Sequence, residues 1–145
     1  MHASSLVGTW ALRRFELCFP DGRITHPYGE DVTGLLFYDD TGHMSAAFGS
    51  AKREAGASLD LEEVGTKPAY DAFMAYCGSY EVEQDRIVHR VEVSSLAAWA
   101  GTVQERRFKI EDGRLTLVTM PLVIGADAPT GRLVWDRVGA DKQTR

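Results

Sequence analysis

Spacings that would build a cross-linked or metal-bound fold are missing. The two cysteines, Cys18 and Cys77, lie far apart with no Cys-x-x-Cys pairing, so no disulfide or thiolate metal framework is expected and both thiols should be free. The four histidines form no His-x-His or His-Glu-x-x-His pattern, and no metal is expected. A Gly-x-Ser-x-Gly elbow, a Walker loop and a dinucleotide fingerprint are also absent, so no nucleotide or other cofactor is expected. Positive charge is in deficit: a net charge of −5 argues against nucleic acid or an anionic membrane as the main partner. No apolar run approaches the roughly 18 residues of a transmembrane helix. The opening Met1-His2-Ala3-Ser4-Ser5 is polar and lacks an apolar export core, which makes a reduced, cytoplasmic compartment the expectation.

What is present is ordinary for a globular protein, with 44% apolar and 26% charged residues in 145, enough for one domain over 1–145. Short segments rich in aromatic and β-branched residues alternate with Gly and Asp turns, the pattern of an all-β barrel or sandwich. Leu6 to Phe19 is the first long segment, and Gly22 and Pro27-Tyr28-Gly29 punctuate the next. Leu35 to Tyr38, Asp39-Asp40-Thr41-Gly42 and His43 to Phe48 read as a hairpin. Strands are expected at Cys77 to Glu83, Ile87 to Ser94, Val103 to Ile110, Arg114 to Thr119 and Gly131 to Val138, about nine in all. Short connections favour up-and-down antiparallel order, with the first strand meeting the last to remove the edges. The expectation is a closed antiparallel barrel of about 8–10 strands, roomy enough for side chains or one small ligand.

Helical signals are confined to one insert around residues 58–75. Asp60 and Glu63 suit a capping box, Gly65 a stop and Pro68 a new start, after which Ala69, Tyr70, Phe73 and Met74 share a helical face. Such an insert is either a lid across one barrel mouth or an excursion packed outside.

Alternation assigns the faces of the strands. In Val103 to Ile110 the set Gln104, Arg106, Phe108 and Ile110 points inward if the aromatic is buried; in the preceding strand Ile87, His89, Val91 and Val93 form the inner set. His89, Arg106, Gln104 and Tyr80 would then make a polar cluster inside an oily barrel, where each group needs a partner. Two outcomes stay open. Arg106 pairs with Glu81 or Glu92 and His89 with a backbone carbonyl, or these groups orient the polar end of a ligand. Of the histidines, His2 and His26 read as solvated and His43 as a surface or mouth position, leaving His89 as the candidate general acid or base. Cys77 beside His89 is a weak nucleophile candidate, better read as a small core residue. Tyr28, Tyr38, Tyr76 and Tyr80 read as core rings or cavity lining, whereas Trp99 falls in the loop Ser95 to Gly101, where a bulky ring guards an opening or meets a partner subunit.

Leu6-Val7-Gly8-Thr9-Trp10 resembles the opening strand of lipocalins, where a Gly-x-Trp packs at the closed end of the barrel. With Pro27-Tyr28-Gly29, Gly42-His43-Met44-Ser45, Tyr76-Cys77-Gly78-Ser79-Tyr80-Glu81, Val88-His89-Arg90-Val91-Glu92, Trp99-Ala100-Gly101-Thr102, Arg106-Arg107-Phe108 and Leu133-Val134-Trp135-Asp136-Arg137-Val138, nearly the whole chain resembles the bacterial and fungal lipocalin-like domain family. That resemblance implies a calycin-type barrel without a catalytic motif, some relatives of which act in natural-product pathways, and it implies a basic residue, here Arg137, over the indole of Trp10.

The leading expectation is a barrel that binds a small hydrophobic metabolite through Tyr76, Tyr80, His89, Trp99, Gln104, Arg106 and Phe108. The alternative is a cofactor-free isomerase or cyclase acting on a polyketide-like or terpenoid intermediate, with His89 or Tyr80 moving a proton and Arg106 steadying an oxyanion. A third is a homodimer built on Trp99 and the insert, its interior filled by its own side chains.

Overall fold

Segments that alternate apolar and polar residues can bury one face of a pleated strand, and here such segments close on themselves. The computed structural model describes residues 3–52, 73–122 and 127–139. Within them a one-turn helix α1 (Ala3–Leu6) precedes β1 (Gly8–Cys18), β2 (Ile24–Thr25), β3 (Val32–Tyr38), β4 (His43–Ser50), β5 (Phe73–Glu83), β6 (Arg86–Ser94), a 3₁₀ turn (Ala97–Trp99), β7 (Val103–Glu111), β8 (Arg114–Thr119) and β9 (Thr130–Arg137). All neighbours pair antiparallel in the order β2-β1-β3-β4-β5-β6-β7-β8-β9, and β1 pairs again with β9. Eight long strands thus form a closed up-and-down barrel, with the two-residue β2 continuing the β1 edge where β3 has turned away.

The two ends of the barrel differ. At one end the connections are tight: Asp39 Oδ1 accepts from the backbone N–H of Thr41 and His43, while Gln84 and Asp112 adopt the left-handed backbone that two-residue turns require. This end is sealed by Leu6 and Trp10, whose indole N–H donates to the Leu6 carbonyl at 2.9 Å. The Arg137 guanidinium lies 4.2 Å from the Trp10 ring centroid and donates to the carbonyls of Val7 and Ser5, the contact implied by the lipocalin resemblance. All the longer connections leave from the opposite end, those that carry Tyr28, Trp99 and Leu122 among them.

Two β-bulges decide which residues face inward. Between Leu12 and Arg14 the β1–β9 register slips by one, so Trp10 and Leu12 point in, Arg13 and Arg14 both meet water, and Phe15 turns in where Arg14 would have stood. Between Cys77 and Gly78 the β5–β6 register slips in the same way, pairing Gly78 with Val91 but Cys77 with Val93. Val93, expected inside, is therefore 64% exposed, and Ser94 takes the inward place opposite Tyr76. Gly78 makes this possible, because a Cβ there would sit 1.9 Å from the Arg90 carbonyl oxygen. Val88 is buried on the outer face, flanked across the strands by Glu81 and Glu105, which pair with Arg90 and Arg86.

A second correction concerns the insert. Phe73 and Met74, expected on a helical face, begin strand β5 opposite Gly49 and Phe48 of β4. Long-range pairing outweighs the local helical spacing, because β4 would otherwise lack a partner for its hydrogen-bonding edge. The remainder of the proposed insert lies outside the described residues. The inner set Gln104, Arg106 and Phe108 is confirmed by register, opposite His89, Ile87 and Leu117.

Candidate functional site

Toward the open end the side chains fail to fill the barrel and leave a cavity of about 220 Å³. Its wall is aromatic and aliphatic, with Phe15, Tyr28, Phe48, Tyr76, Trp99 and Trp135 as the rings and Met74, Leu96, Leu117, Leu122 and Leu133 among the aliphatic residues. Residues with polar side-chain groups are few on it: Arg106, Thr119, Tyr28 and Tyr76. Thr119 is already used, accepting from the Gly131 N–H and donating to the Met120 carbonyl.

Beneath the cavity, in the barrel interior, stands a chain of three neutral groups. The Tyr38 hydroxyl lies 2.6 Å from His89 Nε2, and the Tyr76 hydroxyl 3.1 Å from His89 Nδ1. His89 is completely buried. Burial first, and the Arg106 charge second, lower its pKa to about 3, so the ring is neutral at physiological pH. A neutral imidazole has one donor and one acceptor, and the surroundings select which is which. Tyr38 is buried and its hydroxyl has no other acceptor among the described residues, so its O–H donates to Nε2; the 2.6 Å separation suits an O–H donor. Either arrangement leaves one tyrosine O–H over, and the reverse would leave that of Tyr38, which does not border the cavity, unpaired at a cost of about 1–3 kcal/mol. Nδ1–H then donates to the Tyr76 oxygen, and the Tyr76 O–H is left over, on the cavity wall.

Both tyrosines hold their protons more tightly than usual. Burial raises the Tyr38 pKa well above the ordinary phenol range, with Tyr76 adding to the rise and Arg106 opposing it. Burial likewise raises Tyr76, against the pull of Arg106. Tyr80 packs edge-on against Tyr38 with centroids 4.8 Å apart and donates to the Asp39 carbonyl at 2.6 Å, bracing the closed end.

The residues singled out from the sequence therefore divide. Tyr76, Trp99 and Arg106 meet at the cavity: the Trp99 ring stands edge-on to Tyr76 at 5.4 Å, and the Arg106 guanidinium lies 5.7 Å from the Trp99 centroid. Tyr80, His89, Gln104 and Phe108 do not line it. His89 has both nitrogens occupied by tyrosines, Tyr80 is bound to Asp39, and the Gln104 amide donates to Thr102 Oγ1. Arg106 does not pair with Glu81 or Glu92; Glu81 binds Arg90 on the outer face, and Arg106 donates to the Glu105 carbonyl at 3.0 Å. Cys77 faces away from His89, in register with Ser45 and Val93. Among the described residues no group of three or more His, Cys, Asp and Glu is arranged to hold a metal ion.

Some contributors were missed by the sequence reading, or read in a different role. Phe15 is hidden by the β1 bulge, Tyr38 acts through His89 rather than on the cavity, and Trp135 follows from the alternation Gly131, Leu133, Trp135.

Comparison with known proteins agrees with this architecture. The model of the lipocalin-like domain family matches residues 7–138. The chain belongs to the lipocalin-like domain family. A curated relative is the 4'-hydroxy-3'-methoxypropiophenone carrier protein ppsC of Aspergillus oryzae (strain ATCC 42149 / RIB 40), 35% identical over 75 residues that cover 46% of this chain and 68% of the relative.

Proposed function

We propose that this lipocalin-like barrel binds and carries one small, largely apolar aromatic metabolite in its open-end cavity. The observation that carries the reading is the cavity itself, about 220 Å³ and walled by aromatic and aliphatic side chains with a few convergent polar groups. That volume is at or below the small end of the ~300–1,000 Å³ typical of ligand pockets, which favours a molecule with one ring over a sterol or a long acyl chain. The relative's name, a carrier of a hydroxy-methoxy aryl ketone, supports a ligand of the same size and character.

An isomerase or cyclase on the same scaffold would need a proton-transfer group facing the ligand. His89 is a poor one, since its nitrogens are shared between Tyr38 and Tyr76 and its pKa of about 3 leaves it a very weak base. Carriage without chemistry has the better support.

The test is titration with aryl ketones, 4'-hydroxy-3'-methoxypropiophenone first, followed by quenching of tryptophan fluorescence, since Trp99 and Trp135 border the cavity. One molecule per chain should bind, and Ala46→Phe, which projects a ring into the cavity from β4, should abolish binding while the barrel stays folded. Unchanged affinity in that variant would place the ligand elsewhere and refute the proposal.

A further inference from the structure

Arg106 and Tyr76 bring hydrogen-bond donors to the cavity wall. Tyr76 lines the cavity, and with its oxygen accepting from His89 Nδ1–H its own O–H is left without an acceptor in the Tyr38–His89 chain. The Trp135 indole is 1% exposed, and its N–H has no hydrogen-bond partner among the described residues.

Arg106 adds a charge to this excess of donors. It is 6% exposed, and among the described residues no carboxylate is within ion-pairing distance of it. Its guanidinium donates to the Glu105 carbonyl, lies within hydrogen-bonding reach of the Tyr76 oxygen and faces an aromatic ring, which still leaves several of its five N–H groups unspent. The titratable groups around it, Tyr38, Tyr76 and His89, are all neutral at physiological pH and supply no counter-charge. A guanidinium this deep is ordinarily paired.

We propose that the cavity takes its ligand as an oxyanion: a phenolate or enolate conjugated with an apolar body, its charged oxygen held by Arg106 and the Tyr76 hydroxyl. The inference deepens the carrier reading and rests on it. A ligand of this class supplies both the missing counter-charge and an acceptor, whereas a hydrocarbon or an ammonium group would supply neither.

The experiment compares 4-nitrophenol with 4-nitroanisole, which share shape but differ in the ability to ionise. The phenolate absorbs in the visible, so the ionisation of the bound probe is read directly. With the wild-type protein the pKa of bound 4-nitrophenol should fall by about one unit or more, the equivalent of an at least tenfold preference for the anion. 4-Nitroanisole should bind at least about tenfold more weakly than 4-nitrophenolate. Arg106→Met, which keeps the volume and removes the charge, should erase the pKa shift and bring the probes level; Tyr76→Phe should reduce the shift without erasing it. If Arg106→Met fails to fold, the wild-type titration decides. Bound 4-nitrophenol with an unchanged or raised pKa, or equal affinity for both probes, overturns the oxyanion assignment and leaves the carrier reading standing. Failure of both probes and of the aryl ketones to bind overturns the two together.

Discussion

Protonation of His89 sets a limit on acid stability that can be worked out from its surroundings. In the unfolded chain a histidine titrates near ~6.5, whereas in the folded barrel burial and Arg106 bring His89 to about 3. The unfolded state therefore binds the extra proton between these values, and stability must fall as pH falls through that window. Above about pH 6.5 the ring is neutral in both states and costs nothing. At pH 5 the unfolded state is favoured by about 2 kcal/mol from this residue alone, and the penalty reaches about 4 kcal/mol at pH 3 before levelling off below it, at about 1.36 kcal/mol per pH unit in between. Carboxylates also contribute to acid unfolding, so the measurement is a difference between wild type and His89→Gln, which keeps an amide among the tyrosines but does not titrate. Urea denaturation at pH 7 and pH 5 should show wild type losing about 2 kcal/mol more than the variant. If the variant does not fold, ¹⁵N chemical shifts of the wild-type imidazole serve instead, showing a neutral ring protonated on Nδ1 at pH 5. Equal acid losses, or a ring that titrates near 6.5, would refute both the burial argument and the assigned hydrogen-bond direction.

Two further substitutions probe the frame around the site. Arg137→Leu removes a cation–π contact worth ~0.5–2 kcal/mol and two hydrogen bonds to the carbonyls of Val7 and Ser5; urea titration should show a loss of about 2–4 kcal/mol, and a loss below about 1 would mean that the closed end is held by Trp10 and Leu6 without it. Gly78→Ala places a methyl group 1.9 Å from the Arg90 carbonyl at the β5–β6 bulge, so the barrel should lose about 3 kcal/mol or more, or fail to accumulate; a stable, ligand-binding variant would show that the strands part there at little cost.

The architecture was largely legible because turn chemistry and period-2 alternation are local. Asp39 to Gly42, Gln84-Asp85 and Asp112-Gly113 mark hairpins by residue type alone, and Arg106 is placed inside by Phe108 two positions away. What local pattern could not show is a change of parity. The extra residues at Arg13 and Glu92 are properties of a strand pair, visible only when β9 lies beside β1 and β5 beside β6, and each moves every later side chain to the other face. Phe15 enters the cavity wall through the first and Val93 leaves the interior through the second. The helical reading of Phe73 and Met74 failed for a related cause, since spacing that suits one helical face also suits a strand once β4 offers an edge.

The site was half legible for a different reason. Sequence pattern marks His89 as a buried polar group, and a buried histidine invites a catalytic role, but the role depends on what occupies each nitrogen. Tyr38 on one side and Tyr76 on the other make His89 a connector, and its neutrality gives the connection a direction. Were the ring protonated, both nitrogens would donate, and the buried Tyr38 O–H would lose its one acceptor. Arg106 contributes to preventing this, since its charge adds to the burial that keeps His89 neutral. The same guanidinium that borders the cavity thereby helps keep His89 a donor to the Tyr76 oxygen and the Tyr76 O–H free to donate, so charge and hydrogen-bond polarity favour the same kind of ligand atom.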